Sequence, residues 1–473
     1  MKTLCALTSV LLCACILLSA CGKNNTKDNT DYVAPDKFTF EQKAETGSFN
    51  AKLYTVSGKE LKSSTAKIEL FGELSAIDAL MEALFSQTSL SQGIASEIRF
   101  TGALLSYDVC VVSLEGKMHE NINDWFLLEL VITNTLHDFC GAETVTFLLN
   151  GSAPEYNGIP LGASLVSEYP PDEYITHRKE EHDMDTQEKG QISGNTVHFI
   201  PIHGENYMKA QVKADKIFSY GDSLKNRIET LLHQHDKELT RSHNKSESPL
   251  LESCYSHTLR KTKELTSGKV YINLRKTTAC SIDSKVFADC VAFTLISNIP
   301  GIQEVSITID ESVYTCSYPN CTLCLGTDFT AFYPMRDEST LESVEIVVPS
   351  EKRHDAKTIL DNLLLSKNTR GTLFPDYLYS QITVIGLSDG VLAVSFPDNV
   401  RDRVMENFIE SDAHYKDSNM RERLFIYTIV NSLTQLPDVK RVLFMNSSES
   451  ACDKLINIYL GVPLYRNPGL EAD

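Results

Sequence analysis

The sequence predicts an α/β (α+β) chain built as three tandem two-layer sandwiches. Each is expected to be a mixed sheet of about four strands with two helices, in β-α-β-β-α-β order. Three observations carry this reading. A helix–turn–strand pattern occurs three times. Each copy is preceded by two alternating runs that read as neighbouring strands. Each pair of runs is preceded in turn by an amphipathic helix. A length of 473 residues suits about three domains of ~150 residues.

The clearest copy is 421–446, RERLFIYTIVNSLTQLPDVKRVLFMN. Apolar residues recur at helical spacing through Leu424, Ile426, Tyr427, Ile429, Val430 and Leu433. Pro437 lacks an amide proton and ends the helix at or before Leu436. Lys440 to Met445 then reads as a strand. The stretches 127–150 and 285–310 repeat the pattern. Aligning Val145, Val305 and Val442 without gaps brings Val131, Val291 and Thr428 into line, as well as Leu136, Ile296 and Leu433. So long a period means tandem domains, not solenoid repeats.

Upstream of the third copy, 381–387 and 390–396 flank Ser388-Asp389-Gly390, a hairpin signal because glycine accepts the positive φ of the turn. The corresponding runs are 97–105 and 108–114 in the first copy, and 257–261 and 269–274 in the second. Amphipathic helices are predicted over 74–85, 222–232 and 355–365, with Asp222 as an N-cap. Extended segments precede them at 51–56, 197–202 and 330–333, with room for a second strand. The first unit is therefore placed at 46–166, the second at 196–326 and the third at 327–473. Residues 167–195, charged and carrying Pro170-Pro171, read as a linker. The second and third units meet near 317–328 with almost no spare chain, which predicts a closer contact there. Residues 237–249 read as a loop within the second unit, and 400–419 as an excursion within the third.

The first 20 residues read as a signal peptide. Lys2 is followed by an apolar run to Leu18, too short for a comfortable membrane span. Leu18-Ser19-Ala20-Cys21 followed by Gly22 resembles the lipobox of bacterial lipoproteins. That resemblance implies cleavage before Cys21, lipidation of Cys21, and a lipid anchor in the cell membrane or outer membrane. Residues 21–45 are polar and read as a tether. A formal net charge of −19 speaks against nucleic acid as a partner, because such binders carry basic patches.

The third unit resembles the GerMN domain of GerM-type sporulation and germination lipoproteins. The resemblance lies in DGVLAVSF at 389–396, IYTIVNSLTQLPDVKRVLF at 426–444 and YLGVPLYRNP at 459–468. The first unit is similar through 132–151 and YNGIPLG at 156–162. The second, the most diverged, is similar through 295–310 and Leu325-Gly326. The resemblance implies an interaction module facing the cell envelope and supplies no catalytic residues.

No catalytic constellation stands out. The sequence lacks a GxSxG elbow, a phosphate-cradling glycine loop and HExxH. His233 and His235 are read as diverging at a helix end, His177 and His182 as lying in the linker, and His137 as meeting a helix carboxyl end. Nine cysteines remain after the signal and anchor, and only Cys316, Cys321 and Cys324 cluster. Without a second CxxC or HxxxH pair, a local disulfide or buried thiols is the reading preferred to a metal site. No cofactor is assigned.

The expected function is a non-enzymatic, membrane-anchored scaffold that binds an envelope protein or itself. Its candidate surface is the outward face of the repeated helix and turn: Arg421, Arg423, Gln435 and Lys440 in the third copy, Glu129 and Glu143 in the first, Asp289 and Glu304 in the second. The alternative is a periplasmic glycan- or peptide-binding protein with an inter-domain site, served by tyrosines such as Tyr333, Tyr377 and Tyr379.

Overall fold

The computed structural model describes residues 48–472 apart from 70–75, 88–89, 119, 157–158, 183–190, 203–204, 220–222, 244–254, 260–267, 277–281, 336–338, 366–380, 401–417 and 447–449. The signal and tether readings, Cys21, Tyr377, Tyr379 and most of the 400–419 excursion lie outside the described residues. Among the described residues, no helix is long and apolar enough to cross a membrane.

The chain is a mixed α/β protein in which one element order recurs. The first segment opens with an antiparallel hairpin, β1 (Ser48–Ser57) and β2 (Glu60–Glu69), followed by helix α1 (Ala76–Phe85). Strands β3 (Ile98–Ser106) and β4 (Val109–Gly116) pair antiparallel. Helix α2 (Ile122–Cys140) crosses to β5 (Thr144–Leu149), which lies parallel to β4. A short ladder, β6 (Glu155–Tyr156) with β7 (Ile159–Pro160), precedes β8 (Ser164–Leu165), which closes the sheet antiparallel to β5. Helix α3 (Pro171–His182) follows.

The second segment repeats this with hairpin β9 (Gln191–Pro201) and β10 (Met208–Ser219), then helix α4 (Leu224–His243). Its sheet runs β11 (Tyr255–Leu259), β12 (Lys269–Lys276), β13 (Glu304–Ile309), β14 (Ser312–Ser317), with helix α5 (Ser284–Asn298) between β12 and β13. The third has hairpin β15 (Gly326–Pro334) and β16 (Leu341–Pro349), then helix α6 (Ala356–Leu365). Its sheet is β17 (Thr383–Ser388), β18 (Val391–Ser395), β19 (Arg441–Met445), β20 (Leu464–Tyr465), with helix α7 (Ser418–Leu433) between β18 and β19. In each sheet the two central strands are parallel and the flanking pairs antiparallel. The predicted Asp389-Gly390 turn has positive φ at both residues, 52° and 71°, the requirement of a type I′ hairpin.

The predicted order lacks the closing strand of each segment, and the second strand for which the sequence left room is present in each, completing an opening hairpin. The hairpin has consequences for the helix between the central strands. Helix α2 packs against β1 as well as β5, α5 against β9 as well as β13, and α7 against β15 as well as β19. A helix covered on both sides is buried nearly all round, and from Leu128 to Leu136 every residue of α2 is buried. The same contact satisfies strand amides. Tyr54 N donates to Thr135 Oγ1 (3.2 Å), Phe199 N to Thr294 Oγ1 (3.0 Å) and Phe332 N to Ser432 Oγ (2.9 Å). In the second segment Asn298 adds a paired contact, accepting from Val197 N and donating to Val197 O.

Two predicted linking regions are structured. Helix α3 forms within the predicted linker and buries Tyr174 and Arg178, and β9 begins inside the linker's end at Gln191. The predicted loop at 237–249 is helical through His243, because α4 continues to there. The first and second segments also meet closely. Val109, Val111 and Leu148, on one face of the first sheet, belong to the core of the second segment. Ser106 Oγ, at the end of β3, donates to Gly326 O (2.9 Å) and accepts from Ala210 N (3.2 Å), tying the β3–β4 pair to the later segments. The predicted close join of the second and third segments is seen at Leu325, which bridges to Met208 and accepts from Ser350 N (2.8 Å).

Candidate functional site: buried carboxylates on the repeated helices

Helices α2, α5 and α7 each hold a fully buried acidic residue: Glu129, Asp289 and Glu422. In the gapless alignment Glu129 and Asp289 share one position, filled by Ile426 in the third copy. Glu422 sits one turn earlier on the same side. A buried carboxylate is costly unless its oxygens are matched, and each copy matches it differently.

In the first segment Glu129 accepts from Trp125 Nε1 (2.6 Å) and from Arg178 Nε (3.1 Å) and Nη2 (3.3 Å). Arg178 also donates to Leu161 O (2.8 Å) and Glu181 (2.7 Å), and its guanidinium lies 5.5 Å from the Phe126 ring centre. Burial pushes the Glu129 carboxyl up, against the pull of Arg178 and Trp125. Burial also works against the Arg178 charge, but Glu129, Tyr174 and Glu181 beside it outweigh that and push its pKa up. Arg178 therefore stays charged. A cavity of about 140 Å³ next to the pair is lined by Tyr169, Tyr174, His177, Arg178, Glu181 and Asn195.

In the second segment Asp289 faces thiols. It accepts from Cys316 Sγ at Oδ1 (3.0 Å) and from Cys324 Sγ at Oδ2 (2.9 Å). Lys285 Nζ, one turn earlier on α5, also pairs with Asp289. A hydrogen bond between Cys321 and Cys316, together with burial, pushes the Cys321 thiol well above the ordinary range. Burial and Asp289 push Cys324 up to about 12. The cysteines come from the end of β14 and from a 3₁₀ turn, Asn320–Cys324. Three residues per turn put Cys321 and Cys324 on one side of it. All seven cysteines among the described residues are free thiols.

In the third segment Glu422 caps backbone. Its Oε1 accepts from Ile456 N (2.7 Å), Asn457 N (2.9 Å) and Ile458 N (2.9 Å). Asn431 of the same helix holds the closing segment, accepting from Asn467 N (3.0 Å) and donating to Asn467 O (3.1 Å).

The predicted outward face divides accordingly. Glu129, Asp289 and Arg421 are buried, because the opening hairpin covers the side of the helix that the periodicity left free. Glu129 is thus withdrawn from the candidate surface. Arg423, Lys440 and Glu143 are exposed, while Glu304 and Gln435 are half-buried. Lys440 lies over the Asp389-Gly390 turn and its amide donates to Gly390 O (2.8 Å). Tyr333 is buried and donates to Leu363 O (3.1 Å), so it is no surface tyrosine. His235 lies within α4, buried against His198 at 6.0 Å between ring centres, with Nε2 2.9 Å from Phe199 O; His233 is exposed. His177 rides on α3, 3.3 Å from Glu181. His137 Nδ1 lies 3.1 Å from Ala142 O at the end of α2.

Sequence reasoning missed Arg178 and Glu422, and did not join Asp289 to the cysteines. One signal was present. Glu129 and Asp289 each interrupt an apolar run with apolar neighbours on both sides, LLELVI and FADCVAF, the pattern of an acidic group going into a core.

No family model and no curated protein matches the chain. Among solved structures, the tandem GerMN domains of the sporulation protein GerM from Bacillus subtilis are similar over 59% of this chain and 99% of that one, at 14% identity and a TM-score of 0.20. That likeness is weak, and no residue role is transferred on it.

Proposed function

We propose that the chain is a membrane-anchored envelope lipoprotein whose GerMN-like tandem units, each a layered α/β module, act as a non-enzymatic scaffold for a protein partner or for a second copy. The observation that carries this reading is the use made of the buried polar groups. Glu129, Glu422 and Asn298 are each committed to holding elements of their own segment together, through Arg178, the 456–458 amides and Val197. Polar groups spent on a framework support a structural module. The lipobox-like LSAC at 18–21 and the residues resembling GerMN domains support the envelope setting.

The partner-facing residues in this reading are Arg423, Lys440 and Glu143. Crosslinking in intact cells, followed by recovery of the full chain, tests it. An envelope protein or a self-contact is expected, weakened by charge reversal at Arg423 and Lys440. Recovery of neither, or contacts unchanged by the reversal, overturns it. The anchor is tested by labelling with a palmitate analogue: wild type takes it up and Cys21→Ser does not, and equal labelling of both rejects lipidation. The glycan- or peptide-binding alternative gains little support from the cavity beside Arg178, whose 140 Å³ falls below the ~300–1,000 Å³ of typical ligand sites.

A further inference from the structure

The cysteine cluster of the second segment stands apart from the other buried carboxylate sites. Glu129 is matched by a cation and an indole N–H, and Glu422 by backbone amides. Asp289 is matched by Lys285 and by sulfur. The ligating atoms of Asp289, Cys316 and Cys321 all lie within 4.8 Å of one another, and all three residues are buried. Cys324 reaches the second oxygen of Asp289 and is half-buried, which leaves a way in from solvent.

We propose that Asp289, Cys316, Cys321 and Cys324 bind one zinc ion that fastens the turn between the second and third segments to helix α5.

Three thiolates and one carboxylate form a set suited to tetrahedral zinc, which takes sulfur at ~2.3 Å and carboxylate oxygen at ~2.0–2.2 Å. Donors so arranged stand ~3.3–3.8 Å apart, so Asp289, Cys316 and Cys321, already within 4.8 Å of one another, draw together, and Cys324, 2.9 Å from Asp289 Oδ2, turns its Sγ in as the fourth donor. Binding releases the thiol protons to solvent, and the carboxylate exchanges its S–H donors for the metal. The donors carry more negative charge than zinc neutralises, and Lys285, bonded to Asp289 Oδ2, supplies a cation beside that carboxylate. The other product open to these residues is a Cys316–Cys321 disulfide. It would remove the S–H that Cys316 donates to Asp289 Oδ1 and leave that buried oxygen facing a sulfur with no proton to give, a costly arrangement. The metal satisfies carboxylate and sulfurs together. Its position also fits a brace, since Leu325, directly after the cluster, bonds to both neighbouring segments.

The test uses the full chain, purified in detergent without chelator. Elemental analysis should find about one zinc per chain, falling at least about tenfold in Cys316→Ser and Asp289→Asn and unchanged in Cys452→Ser. On the wild-type chain, mass spectrometry after alkylation should show Cys316, Cys321 and Cys324 protected until a chelator is added. This second measurement stands even where a variant fails to fold. A Cys316–Cys321 disulfide in zinc-free protein overturns the proposal. So do free alkylation of all three thiols before chelation, and zinc that survives both substitutions. The proposal does not depend on the scaffold reading, and neither failure implies the other.

Discussion

Replacing Arg178 with methionine gives the sharpest test of the packing described above. The substitution keeps an unbranched apolar side chain and removes the guanidinium, with its place over the Phe126 ring, its two bonds to Glu129, one to Leu161 O and one to Glu181. Glu129 then keeps Trp125 Nε1 as its close donor and is left as a fully buried carboxylate without its cation. Removing one partner of a buried ion pair costs ~3–5 kcal/mol, a large fraction of the ~5–15 kcal/mol that holds a typical domain together. The pH dependence has a definite sign. Burial raises the folded pKa of Glu129 above its usual 4.5 and Arg178 lowers it, so Arg178→Met raises it further. Stabilisation from the protonated form is fully present below about 4.5 and is lost as pH rises through the folded value. The deficit relative to wild type should therefore shrink as pH falls. Adding Glu129→Gln removes the stranded charge and should recover part of the loss. The chain's single tryptophan is Trp125 itself, so urea unfolding followed by tryptophan fluorescence reads this segment directly. A loss under ~1 kcal/mol, the range of an exposed pair, or a double variant no more stable than Arg178→Met, refutes the reasoning.

Other perturbations follow from the same geometry. Ser106→Ala strips two buried backbone groups, Gly326 O and Ala210 N, of their hydroxyl partner, and should cost ~2–3 kcal/mol in denaturant unfolding monitored by circular dichroism. Gly116 has φ +134°, and a Cβ there would stand 2.0 Å from Glu97 O; Gly116→Ala should lower stability by at least ~2 kcal/mol and open the end of the β3–β4 ladder, seen as faster exchange of the Lys117 amide that donates to Glu97 O. Burial, with Lys213 nearby, pulls the His198 imidazole from 6.5 down to about 4. Its neutral form is favoured in the folded chain, so the stabilisation present above 6.5 is lost as pH falls toward 4, by ~3 kcal/mol at 1.36 kcal/mol per unit. Unfolding free energies at pH 7 and 4.5 should show this loss, and His198→Gln should reduce it.

Much of the framework is legible in local sequence, because local forces set it. The 3.6-residue spacing of Leu424, Ile429 and Leu433, the stop at Pro437 and the Asp389-Gly390 turn each depend on neighbours in the chain, and α7, β17 and β18 form where they indicate. The threefold recurrence is likewise visible in the alignment of Val145, Val305 and Val442, each in the central strand β5, β13 or β19. The side chains that matter most depended on what covers the helices. Periodicity marks an apolar face but is silent on whether the opposite face meets water. Glu129 and Asp289 read as outward until the hairpins β1–β2 and β9–β10 are laid across α2 and α5. Arg178 reached Glu129 from 49 positions away, on a helix whose charge pattern suggested a linker. Asp289 met Cys316 and Cys324 across 27 and 35 positions. A carboxylate's partners are chosen by proximity in space. Local sequence sets the helix between the central strands and the strand pair before it in each copy, because neighbours in the chain decide those, while tertiary packing decides which acidic groups go inside and which cation, thiols or amides receive them.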